Sequence, residues 1–224
     1  MENLKPPEHP DHFSMDKNLL QKLLDWIVPI GILLIYFFFY NFGKITPSEM
    51  IKTTGLVAIA LLSITLFIGS LSRFIPAVNI LKVHRKHWGI ASFVLAIIHT
   101  FLVIMFFYKF DFFRLFNFTK SNTIGIQAGL IALLILFMVT VSSFHMIFEK
   151  LPEGMWKKLQ MTSYIALALV VLHFFLMEQK DGVFVIKRLL GQITYWFAFV
   201  VLIARIVVAI FPKKEHIQPP PITA

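Results

Sequence analysis

The stretch "KVHRKHWGIASFVLAIIHTFLVIMFFY", residues 82–108, opens on Lys82, His84, Arg85, Lys86 and His87 and then carries no formal charge from Trp88 to Tyr108. An apolar run of about 20 residues is long enough to cross a bilayer as a helix. His99 sits inside that run, twelve residues after His87. An ionisable side chain at such depth is costly and marks a bundle interior, a relay or a bound group. The rest of the chain has the same character. Of 224 residues, 58% are hydrophobic and 15% charged, with 25 Phe and no Cys. A soluble domain of this length needs more polar surface, so the composition predicts an integral membrane protein. The missing cysteines exclude disulfides, thiolate metal sites and cysteine nucleophiles.

Six apolar runs are long enough to span, at roughly 25–42, 53–72, 87–108, 123–147, 159–177 and 190–211. Polar or Pro-containing breaks separate them, and no alternation of the β-barrel kind appears. The expected fold is an all-α integral membrane bundle of six transmembrane helices. It divides into a polar N-terminal tail at 1–24, the bundle at 25–211 and a disordered C-terminal tail at 212–224. The first 24 residues lack the short apolar core and small-residue cleavage site of a signal peptide. No Gly-rich dinucleotide loop is present. The net charge of +9 lies mostly between apolar runs, where it fixes topology beside anionic membrane lipid rather than binding nucleic acid. The tails and even-numbered loops carry 12 Lys and Arg against 8 in the odd-numbered loops, which places both termini in the cytoplasm. Measured at 1.5 Å per residue, His99 then lies about 18 Å along the third helix and His173 about 21 Å along the fifth. Their depths match, in the outer half of the bilayer.

Two readings of that pair stand at this stage. Either each neutral imidazole bonds a neighbouring helix as polar glue, or the two are axial ligands on opposite faces of one haem b, an arrangement suited to electron transfer. A c-type haem would need CxxCH, and a zinc protease HExxH; both are absent. No carboxylate lies deep in a span, which argues against ion transport. His84 and His87 read as part of an interfacial basic cluster. His145 falls near the cytoplasmic end of the fourth helix.

Several motifs carry a resemblance. The second helix reads "TGLVAIALLSITLFIGSLSR", with Thr54, Gly55, Thr65, Leu66, Leu71 and Arg73. The third has Arg85, Lys86, Gly89 and, ten residues on, His99. The fifth reads "WKKLQMTSYIALALVVLH", with Trp156, Leu159, Tyr164 and His173. This combination resembles the MsrQ (YedZ) family, the haem-binding membrane subunit of the periplasmic methionine sulfoxide reductase system, within the ferric-reductase-like transmembrane group. The resemblance implies a b-type cytochrome in the bacterial inner membrane. Electrons would come from the quinone pool or a cytoplasmic flavin reductase and leave to a periplasmic reductase subunit, with FMN or quinone as additional cofactors.

The chain departs from the family at Gln160, thirteen residues before His173, where the family has a His. The expectation is therefore one haem, with His87 and His145 the side chains available to hold a second. Leu56 and Ser70 also differ from the family pattern. Arg73, Arg85 and Lys86 are expected at the cytoplasmic surface beside a cofactor. Arg205 either snorkels or pairs with a propionate, quinone or phosphate. Two other functions stay open: a stand-alone ferric-reductase-like or other quinone-linked cytochrome b, and a non-redox assembly or transport protein.

Overall fold

The computed structural model describes residues 12–115, 121–149, 152, 154–180 and 182–211. Among these, six helices are long and apolar enough to cross a membrane, so the chain is a multi-pass membrane protein. Their main helical segments are α1 (His12–Ile35), α2 (Pro47–Leu71), α3 (Arg85–Val103), α4 (Ser121–Val141), α5 (Ser163–Met177) and α6 (Leu189–Ile210), the fifth span beginning at Met155 in a short helix that precedes α5. The first and third continue as π turns, Tyr36–Tyr40 and Ile104–Tyr108. The end of the bundle that carries the start of α1 is called proximal below, and the opposite end distal.

Local chemistry explains where the helices start and stop. Thr46 caps α2 by accepting from the Glu49 amide, and Pro47 occupies the first turn, where its missing N–H costs nothing. The α4 helix stops at Val141, short of the expected residue 147. Ser142 and Ser143 both donate back to the Val139 carbonyl, at 2.7 and 3.0 Å, and so compete with the helical ladder. A short helix, Met155–Met161, precedes α5 and is offset from it at Thr162. There the Thr162 and Ser163 hydroxyls donate to the Leu159 and Gln160 carbonyls. The break before α3 is partly helical, with a 3₁₀ segment at Pro76–His84. The α1 helix reaches back to His12, into the segment expected to be a tail. Leu19, Leu20, Leu23 and Leu24 recur there at helical spacing. A two-residue hairpin, β1 (Gln179–Lys180) with β2 (Val183–Phe184), closes the loop after α5. The remainder of the expected N-terminal tail and all of the expected C-terminal tail lie outside the described residues.

The α2 helix is the buried centre of the bundle. It packs on α3, α6 and α5, while α4 packs mainly on α5. Ala132, Ala166 and Ala198 are essentially fully buried, and their small side chains let the apolar helices approach closely. Large apolar side chains such as Leu134, Ile193, Trp196 and Phe199 face outward. Lipid is the solvent that tolerates such a surface. At the distal end Arg188 makes two hydrogen bonds to the Glu49 carboxylate, at 2.5 and 2.7 Å, and a third to the Tyr40 carbonyl. This links α1, α2 and the start of α6.

Candidate functional site

Between α2, α3, α4 and α5, toward the distal end, lies a cavity of about 480 Å³ with mostly apolar walls. His99 and His173 both line it. Their ring centres are 6.3 Å apart and their planes nearly perpendicular, at 83°. The His99 Nδ1 lies 2.9 Å from the Ile51 carbonyl, and the His173 Nδ1 lies 2.8 Å from the Gly125 carbonyl. A carbonyl only accepts, so each Nδ1 carries the proton and each Nε2 keeps a free lone pair. This is the arrangement by which a backbone acceptor orients a ligating imidazole.

Glycine makes room for both rings. A Cβ on Gly55 would stand 2.8 Å from the His99 Nδ1, and one on Gly129 would stand 2.9 Å from the His173 Nδ1. Any side chain at either position would displace the imidazole.

The two halves of the cavity repeat one another. Each acceptor lies 48 residues before its histidine. "GLVA" at 55–58 matches "GLIA" at 129–132, and "LAIIHTFL" at 95–102 matches "LVVLHFFL" at 169–176, all 74 positions apart. The helix pair α2–α3 is thus answered by α4–α5, and both supply the cavity at corresponding positions such as Leu62 and Leu136. Comparing the chain with itself reveals this repeat; inspecting one span at a time does not. The correspondence fails at the distal mouth, where Lys52 answers Ile126 and Ile104 answers Glu178.

The remaining expected site residues lie nearer the proximal end. Arg85 turns inward: its Nε donates to the Thr65 carbonyl at 2.9 Å, and its guanidinium covers Gly69. Arg73 and Lys86 are exposed. Gln160 donates to the Ser143 hydroxyl at 3.0 Å and, more weakly, to Ser142 and the Val139 carbonyl, so it fastens the short helix before α5 to the end of α4. Tyr164 donates to the Leu66 carbonyl and meets Ser70. Arg205 lies over the Tyr164 ring at 5.2 Å and 3.7 Å from the Met161 sulfur. His145 begins the short helix His145–Phe148 beyond the end of α4, and its side chain lies outside the described residues.

His87 belongs to a cluster that the sequence analysis did not assemble. Its Nδ1 lies 3.1 Å from one oxygen of Asp25, and the Nδ1 of buried His84 lies 2.7 Å from the other. His84 also stacks on Trp88. The available signal was the three-residue spacing of His84 and His87, which puts them on one helix face. Among the described residues, no three His, Asp or Glu side chains gather to hold a bare metal ion.

Residues 54–171 match the protein family described as Ferric reductase like transmembrane component. The matched region contains Gly55, His99 and Gly129 and stops two residues before His173. No curated protein matches the chain.

Proposed function

The chain belongs to the ferric reductase like transmembrane component family, whose match covers more than half of it, and from that premise we propose that it is a membrane b-type cytochrome with one haem held by His99 and His173. The working domain is the bundle at 25–211. The family points to membrane electron transfer, and the finer reading rests on the paired histidines.

The residues present fit the group. Two neutral imidazoles whose ring centres lie 6.3 Å apart and that line one cavity are the donor set that would hold a haem iron. The cavity volume lies within the range typical of sites that enclose a small molecule or cofactor. Ile51 and Gly125 orient the rings through their carbonyls, and Gly55 and Gly129 clear space for them. The apolar wall limits water. Haem bound here would supply one-electron chemistry, and two protein ligands would leave no open position for oxygen. By resemblance, the donor is quinol or a cytoplasmic flavin reductase, FMN being an accessory cofactor. The acceptor is a periplasmic methionine sulfoxide reductase, and the location is the bacterial inner membrane.

The observation that carries this reading is the two Nδ1–carbonyl bonds, which leave both Nε2 atoms free beside one cavity. The full chain, produced with haem supplementation and purified in detergent, should show a b-type reduced-minus-oxidised spectrum at one haem per chain. His99→Ala and His173→Ala should each abolish it while helical content is kept. A folded, colourless wild-type protein would sink the proposal.

A further inference from the structure

We propose that Lys52 is the counter-cation for the carboxylate edge of the ligand held between His99 and His173, and so decides which way round that ligand sits. This rests on the haem reading above, since haem carries two propionates on one edge. The repeat described above frames the question. If the two helix pairs matched everywhere along the cavity, its walls would not distinguish a ligand edge turned toward α2 from one turned toward α4. Gly55 answers Gly129 and His99 answers His173, but Lys52 answers Ile126. A cation therefore stands on the α2 side only.

Lys52 is also free to take an anion. Its natural partner is Glu49, one turn earlier on α2. That carboxylate is already claimed by Arg188 through both guanidinium nitrogens. Among the described residues, Lys52 makes no ion pair, although it stays within electrostatic reach of the Glu49 carboxylate. It lines the cavity one turn distal to Gly55, next in sequence to Ile51, whose carbonyl orients His99. The other formal charge on the cavity wall is Glu178, which follows α5 at the position answering Ile104. Ser48, one turn before Lys52 and also lining the cavity, adds a neutral hydrogen-bonding group on the α2 side. An ammonium beside a carboxylate makes a charge-assisted hydrogen bond, stronger than a neutral one.

A lysine five residues into α2 could instead reach the lipid phosphates at the distal interface. The test separates the two. Lys52→Met keeps the stem and removes the charge, Lys52→Arg restores it, and Lys44→Met removes an exposed lysine that does not line the cavity. The full chain in lipid nanodiscs is measured for reduction potential, for haem loss to an excess of apomyoglobin, and for the propionate bending mode in resonance Raman. Lys52→Met should lower the potential, because a nearby cation favours the added electron. It should also speed haem loss roughly ten-fold and shift the propionate mode. Lys52→Arg should reverse all three changes, and Lys44→Met should change none. Haem-loaded Lys52→Met indistinguishable from wild type would overturn this proposal and leave the histidine pair standing. Wild type that binds no haem would overturn both.

Discussion

At the scale of single residues, two glycines matter as much as the two histidines. Gly89 shows the contrast. It stands ten residues before His99 and helps carry the family resemblance, yet the nearest atom to an added Cβ there is 3.8 Å away, an ordinary contact. At Gly55 and Gly129 the contact would be 2.8 and 2.9 Å, against rings already bonded to carbonyls. Gly55→Ala and Gly129→Ala should therefore push the imidazole off its acceptor and weaken haem retention by at least about ten-fold, the worth of one good hydrogen bond. Gly89→Ala should retain haem as wild type does. Haem titration of the purified variants checks this, and equal retention in all three would remove the proposed role of the clearances. The histidines stood out in the sequence because ionisable residues are rare in apolar runs. The importance of Gly55 and Gly129 did not, because clearance is a property of two helices facing each other.

At the scale of elements, the proximal half of α4 and α5 shows what Gln160 does where the resembling family has a His. Its amide fastens the start of the fifth span to the serines that end α4. Beside it, Tyr164 is bonded to Leu66 and Ser70, and Arg205 covers the Tyr164 ring. His87, one of the two side chains available to hold a second haem, is engaged with Asp25 of α1. Gln160→His should accordingly leave haem stoichiometry at one per chain, because these side chains already occupy one another. Two haems in that variant, measured by pyridine haemochrome against protein concentration, would show that the substitution alone opens a second site. Gln160→Leu should cost about 1 kcal/mol of stability, the usual net worth of a hydrogen bond. The substitution at 160 was plain from the residues. Its consequence depended on the serines, which stop α4 earlier than its hydropathy suggests.

For the whole molecule, the absence of cysteine makes the topology directly testable. With both termini cytoplasmic, single cysteines replacing Lys44 or Lys109 at the distal end should react with a membrane-impermeant maleimide added to intact cells. A cysteine replacing exposed Lys86 at the proximal end should react only after permeabilisation. The reverse pattern would invert the proposed direction of electron flow, since the cavity lies toward the distal end. The repeated helix pairs also explain why one bundle holds two similar histidine sites: each pair builds the same imidazole–carbonyl–glycine unit, and the cavity forms where the units face.

The sequence by itself determined the membrane class, the six spans and the matched depth of His99 and His173. Each is a local property: the length of an apolar run, or the distance of a residue along it. The repeat of 74 positions was equally legible, but only when the chain is compared with itself. Tertiary structure alone decided which carbonyl holds each ring, which glycines clear it, that Arg188 takes Glu49 and leaves Lys52 without an ion pair, and that Asp25 joins His84 to His87. Helices apolar on nearly every side carry little amphipathic signal for how they rotate against their neighbours. Their facing residues follow from packing between segments dozens of positions apart, and packing is where the functional geometry was set.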